Sequence, residues 1–134
     1  MRQVMKTYPE DLEAATLFAE ALMDTIPWNY YTEDGRPRNV TNEIIEALEN
    51  VISKDPQHPG ANHFYIHAVE ASSYPERGLP SASRLANIAL GAGHLVHMPP
   101  HIYLRLGRYH DATLANQRAV AADQSYITQF WKVG

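Results

Sequence analysis

The chain has 134 residues, of which 45% are hydrophobic, and its 11 basic and 15 acidic residues give a formal net charge of −4. This composition supplies the core of one folded domain, predicted to span 1–134, and it excludes an intrinsically disordered chain. Because Lys and Arg are not clustered, nucleic acid is not expected as a partner. The absence of cysteine excludes disulfides, thiolate metal sites and a cysteine nucleophile.

The beginning of the chain contains no apolar segment typical of an export signal, and no apolar run approaches membrane-spanning length. We therefore expect no membrane partner and, by default, a cytoplasmic location. No serine lies in a recognisable nucleophile elbow, and no glycine-rich loop is arranged to hold a phosphate.

Helical periodicity extends along the chain, and no segment alternates with a period of two. Tyr8-Pro9-Glu10-Asp11 is typical of a helix start, with proline and acidic residues in the first turn. Pro27 ends that helix, and Gly91-Ala92-Gly93 separates the fourth helix from the fifth. Pro99 and Pro100 indicate that the fifth helix either begins near them or is kinked. The predicted fold is all-α, with helices at 9–24, 41–53, 60–72, 76–89, 94–106 and 109–122, and a further segment near 126.

The last helix pair resembles the second half of a tetratricopeptide repeat. Gly107 matches the turn glycine between the two helices. Tyr109 and Ala112 match the aromatic and small positions of the second helix, and Ala119 matches its later small position. The middle pair matches less closely, although it precedes the last pair by about the 34 residues of one repeat. Segments 58–70 and 93–99 also resemble the histidine-rich motif of uncharacterised bacterial tetratricopeptide-like proteins.

The resemblance implies a right-handed array of antiparallel helix pairs, an α-solenoid of about three pairs followed by a C-terminal segment. The pairs would cover 9–53, 60–89 and 94–122. In such an array the terminal repeats need polar caps, but segment 126–131 is apolar. We therefore expect this segment to pack on the preceding helix or to form a homodimer through exposed terminal helices. The resemblance carries no known activity.

Six of the seven histidines lie between positions 58 and 101. At about 100° per residue, His63, His67 and Glu70 share an arc of roughly 60° on a helix. A second arc of the same width holds the histidines at 94, 97 and 101. In a tetratricopeptide-like array these two helices would lie side by side, with room for a metal ion between them. The predicted metal ligands are His63, His67, Glu70, His94, His97 and His101.

Nitrogen and oxygen donors without sulfur suit zinc first and iron or manganese next, with nickel and copper also in the donor range. Five histidines exceed the needs of one tetrahedral ion, so either two ions bind or some imidazoles only orient the others. The alternative is a seam of imidazoles that pack and hydrogen-bond without any metal. Arg105 follows His101 by one turn and is interpreted either as a contact for an anionic ligand or as a solvated surface charge.

Three functions fit these features. The first is a helical-repeat binding module with a metal site, or a site for a small polar ligand, on its concave face. The second is a metal-dependent enzyme in which Glu70 is the general base on a metal-bound water. The third is a structural adaptor that binds a protein or peptide in the groove. The aromatic residues Trp28, Tyr30 and Tyr31 are interpreted as a cluster that seals the first helix pair, with a lid over the groove as the alternative.

Overall fold

A computed structural model of the chain describes residues 1–88 and 91–131. Within these ranges the secondary structure is helical, and the pairing of Tyr31 with Pro37 is an isolated bridge rather than a strand. The predicted all-α class is confirmed. The helices are α1 (Arg2–Thr7), α2 (Leu12–Thr25), α3 (Asn39–Lys54), α4 (Pro59–Val69), α5 (Leu79–Ile88), α6 (Gly93–His97), α7 (Pro99–Arg105) and α8 (Tyr109–Trp131), with a 3-10 turn at Pro75–Gly78.

Side-chain caps decide where α2 and α4 begin. The Asp11 carboxylate accepts the N–H of Ala14 at 3.0 Å, so α2 begins at Leu12, a few residues after the predicted start at Pro9. At α4, Nδ1 of the buried His58 accepts the N–H of Ala61 at 3.2 Å. His58 is therefore a helix cap. This role explains why the histidine-rich motif contains one histidine that belongs to neither predicted stripe.

The predicted helix 94–106 is two helices that meet at Met98. A helix does begin at Pro99, as one of the two predicted alternatives required, but the short α6 precedes it. The N–H of Met98 donates to Leu95 at 3.3 Å, and its carbonyl accepts from His101 at 3.2 Å. Both are i to i−3 bonds, and the two prolines occupy the first turn of α7, where a helix does not need their N–H groups. The histidines at 94 and 97 thus lie on a different helix from that at 101.

The predicted seventh segment is not a separate element. α8 continues without interruption to Trp131, because 122–125 contains neither glycine nor proline. Ile127 is 54% exposed and Trp131 is 83% exposed. The expectation that this segment folds back onto the preceding helix is therefore wrong, whereas its pairing with a second chain stays a prediction.

Helices that follow each other in sequence also pack against each other. α2 packs on α3, α3 on α4, and α4 on α5; α6 and α7 lie between α5 and α8. In addition, α4 contacts both α2 and α7. The core between them is mostly aliphatic, and its fully buried large side chains include Ile44, Leu48, Ile66, Leu85, Met98 and Ile102. None of the helices in the described part of the chain is long and apolar enough to cross a membrane.

Gly107 turns the chain from α7 into α8 with a φ of +70°, a conformation that costs an L-residue about 1 kcal/mol or more. We expect Gly107→Ala to lower the free energy of unfolding by about that amount, measured by denaturant titration. Gly91→Ala is the matched control, since a Cβ meets nothing within 4 Å at either position but only Gly107 has a positive φ. Equal stabilities of the two variants would contradict the strain at Gly107.

Candidate metal centre

Five imidazoles from two parts of the chain meet in one place. His63 and His67 extend from α4, His94 and His97 from α6, and His101 from α7. These five side chains form the histidine cluster. Successive ring centroids are 4.9–5.0 Å apart at four contacts and 6.4 Å apart at the fifth, so the rings close a circuit. The two predicted stripes therefore face each other.

Glu70, at the C-terminal end of α4, joins the two sides of the cluster. Its Oε1 accepts from Nδ1 of His67 at 2.9 Å, and its Oε2 accepts from Nδ1 of His101 at 2.8 Å. A carboxylate can only accept hydrogen bonds, so both Nδ1 atoms carry protons. In a neutral imidazole the lone pair then lies on Nε2. Glu70 thereby fixes which nitrogen His67 and His101 can offer to a ligand.

Asn116 of α8 fixes the third imidazole in the same way. Nδ1 of His97 donates to Oδ1 of Asn116 at 2.7 Å, and its Nε2 lies 3.2 Å from Nε2 of His101. Since both Nδ1 protons are already donated to oxygens, two lone pairs face each other across this short distance. They repel unless a cation lies between them, either a shared proton or a metal ion.

The remaining imidazoles form the best-placed set of metal donors. Nε2 of His63 lies 3.0 Å from Nε2 of His94, and a nitrogen of His67 lies within 4.8 Å of both. A second group of close donors consists of His67, Glu70 and His101. Its atoms are already joined by hydrogen bonds, so an ion there would have to displace protons from both imidazoles. We therefore favour the set His63, His67 and His94.

Burial and neighbouring charges disfavour protonation of two of the donor histidines, His63 and His94. Burial, together with the neighbouring imidazoles at 67, 94 and 101, lowers the pKa of His63 from 6.5 to about 4. Burial also lowers the pKa of His94, helped by neighbouring histidines and opposed by Asp123. For Glu70, burial raises the pKa, but hydrogen bonds from His101 and His67 outweigh it and bring the pKa to about 2. The site therefore combines two imidazoles that resist protonation, His63 and His94, with one ionised carboxylate.

Arg105 does not join the cluster. It lies exposed at the end of α7 and makes no hydrogen bond or ion pair with any residue of the described ranges. Of its two interpretations, the solvated surface charge fits this position. The seventh histidine, His110, is exposed on α8 and has no part in the cluster.

Sequence reasoning missed Asn116 and misjudged Trp28. Asn116 lies one turn from Ala112 and Ala119, the small residues that α8 buries. The signal in the sequence was a polar side chain on the face by which α8 packs. Trp28 is 72% exposed and its ring lies 5.5 Å from that of His67, so it does not seal the first helix pair as predicted. Tyr30 does fit that prediction, because it is buried in the core.

No protein-family model matches the chain, and comparisons with curated proteins and with solved structures likewise found no match. The resemblance to tetratricopeptide repeats consequently rests on the sequence pattern around Gly107. What the chain does has to be inferred from the chemistry of the histidine cluster, because a helical scaffold alone does not determine function.

The pKa of His63 predicts how the metal-free protein responds to acid. The unfolded chain takes up a proton at this residue near pH 6.5, whereas the folded protein resists it until about pH 4. The free energy of unfolding should therefore fall as the pH drops from 6.5 to 4. Glu70 adds a second loss between pH 4.5 and 2, because its folded-state pKa lies below the unfolded value.

The measurement is denaturant unfolding of the chelator-treated protein at a series of pH values. His63→Gln should flatten the decline between pH 6.5 and 4, and His110→Gln, the exposed counterpart on α8, should not. An unchanged slope in His63→Gln would contradict the assigned environment of His63.

Proposed function

We propose that this chain is a metal-binding protein in which His63, His67 and His94 hold a divalent ion. The observation that carries the proposal is the convergence of these three nitrogens from α4 and α6, with two of them 3.0 Å apart. Imidazole nitrogens about 2.0–2.1 Å from a tetrahedral zinc ion are separated by little more than this. The His67 nitrogen lies within 4.8 Å of the other two, so it would have to move closer to reach the same ion.

An all-nitrogen set of three imidazoles favours zinc, with iron and manganese next. Three protein ligands on a tetrahedral ion leave one position open, as in catalytic rather than structural zinc sites. Open coordination would suit the binding of a small ligand at the ion. The low pKa of Glu70 makes it a weak base, and both of its oxygens are occupied, so the enzymatic alternative loses its proposed general base.

In this proposal Glu70 orients His67 instead of binding the ion. A carboxylate that accepts the Nδ1 proton of a ligating histidine fixes its tautomer and raises its basicity. The pair His97 and His101 completes the circuit of rings between His94 and His67. Their facing Nε2 atoms, 3.2 Å apart, would share a proton or bind a second ion. This arrangement accounts for the excess of imidazoles over the needs of one ion.

The scaffold that we propose is the tetratricopeptide-like solenoid. It is supported by sequential packing, since α2 with α3, α4 with α5, and the α6–α7 segment with α8 are three neighbouring units. The contacts of α4 with α2 and with α7 support inner helices that lie side by side. The metal site would then lie on the concave face, where a protein or peptide partner could also bind, and the exposed end of α8 is the candidate surface for a homodimer.

Calorimetric titration of the untagged, chelator-treated protein with zinc, iron(II) and manganese tests the proposal. We expect at least one of the three metals to bind with a stoichiometry of about one ion per chain. Its dissociation constant should be below about 10 µM, which corresponds to roughly −7 kcal/mol. The affinity should fall at lower pH, because protons compete for the same nitrogens. His67→Ala should abolish this binding, and His110→Ala should leave it intact.

If none of the three ions binds with that affinity, the metal proposal is wrong and the cluster is a hydrogen-bonded seam. In a seam, His67→Ala lowers the free energy of unfolding but has no metal affinity to remove. Unfolding curves recorded in the presence of chelator separate this loss of stability from loss of the ion.

Glu70→Gln tests the orienting role. The amide has one acceptor oxygen where the carboxylate has two, so at least one histidine loses its partner. We expect zinc to bind with about 10- to 100-fold lower affinity but unchanged stoichiometry. Glu33→Gln, an exposed acid in the loop before α3, serves as the charge-matched control. An affinity equal to that of the unmodified protein would show that Glu70 does not act on His67.

A further inference from the structure

Trp28 adopts a backbone conformation that a tryptophan does not favour. Its φ is +60°, in the left-handed region that glycine occupies without cost. Such residues persist where the surrounding structure requires the position, and they concentrate at binding sites. Burial of the indole does not offset this cost, since Trp28 is 72% exposed. Packing alone therefore does not explain why the large side chain stands here.

The strained position brings the indole to the edge of the histidine cluster. Its ring lies 5.5 Å from the ring of His67 in an edge-to-face arrangement and 6.5 Å from the ring of Tyr30. Tyr30 is buried and anchors this part of the chain to the core. Trp28 thus has one side supported by aromatic neighbours and a large exposed surface beside a proposed metal ligand.

The charges around the cluster restrict what can bind next to the ion. Within residues 1–88 and 91–131, no Lys or Arg hydrogen-bonds to a cluster histidine or to Glu70. The ionised groups that act on the cluster from outside are Glu70 and Asp123. Within the described ranges, no Lys or Arg side chain is therefore held at the cluster by a hydrogen bond to assist an anion at the ion. A flat neutral or cationic ring would instead be attracted to the face of the indole.

We propose that Trp28 is one wall of a subsite for a planar nitrogen heterocycle that coordinates the ion held by the histidine cluster. The heterocycle would place a ring nitrogen in the open coordination position and its face against the indole. This inference rests on the proposed metal site and adds the class of ligand. A ligand bound against the indole would explain both the exposure of the Trp28 side chain and its unfavourable backbone conformation.

Cobalt(II) provides a readout that needs no enzymatic activity, since its visible absorption changes when a ligand enters the coordination shell. The full chain is loaded with cobalt and titrated separately with imidazole and with azide. Both probes bring a nitrogen donor to the open position, but only imidazole has a face to stack on the indole. The ratio of their affinities therefore isolates the contribution of the ring contact.

Trp28→Gly removes the indole and places a residue that accepts the positive φ, so the fold should be retained. We expect imidazole to bind roughly threefold to tenfold more weakly to this variant, while azide affinity stays the same. Trp28→Phe should recover part of the imidazole affinity. Trp131→Ala, which removes the exposed tryptophan at the end of α8, should change neither titration.

Unchanged imidazole affinity in Trp28→Gly would overturn the subsite. An equal loss of affinity for imidazole and azide would also overturn it, because Trp28 would then act on the ion rather than on the bound ring. If neither probe alters the spectrum of the unmodified cobalt protein, the ion has no open position and the subsite is wrong, although metal binding stands. If cobalt itself does not bind while zinc, iron(II) and manganese also fail, the metal proposal falls and the subsite with it.

Discussion

The site depends on one carboxylate. Glu70 has only 11% of its side chain exposed, and burying an ionised group of this kind costs several kcal/mol unless it is paired. Its two hydrogen bonds, to His67 on its own helix and to His101 on α7, offset that cost and tie the two halves of the cluster together. They also select the tautomers, and through them the nitrogens that remain available to an ion. Loss of this carboxylate would leave the imidazoles close together but without defined roles.

The backbone around the cluster is built to let two short helices approach α8. The prolines at 99 and 100 end α6 after five residues, so the side chains of His97 and His101 leave different helices and meet at Nε2. Gly93 at the start of α6 has a related function, because a Cβ there would collide with the Asp123 carboxylate of α8. That close packing also brings Asn116 within reach of His97. Features that resemble simple helix breaks in the sequence are thus requirements of the site.

A proton and the proposed metal ion are chemically related candidates for this cluster. Each can lie between two facing lone pairs, and each is favoured by the negative charge of Glu70. Burial discourages protonation of His63, which leaves its nitrogen to an ion that brings several ligands together at once. An ion bound by the folded chain alone would also stabilise it by mass action. In the proposed metal-bound state, occupancy of the site and folding of the chain would therefore support each other.

Local physics in the sequence determined most of the helices and the stripe of His63, His67 and Glu70, whereas the second stripe is divided between α6 and α7. Apolar periodicity placed most helix ends within about three residues, and the spacing of His63, His67 and Glu70 put them on one face because a helix repeats every 3.6 residues. Tertiary structure decided the rest. The hydrogen bond from His101 to Glu70 spans 31 positions, and that from His97 to Asn116 spans 19. Whether such distant groups meet depends on how α4, α6, α7 and α8 pack, and so does the placement of Trp28 beside His67. Helical periodicity fixes directions within one helix, but it contains no information about the neighbour that a side chain will meet.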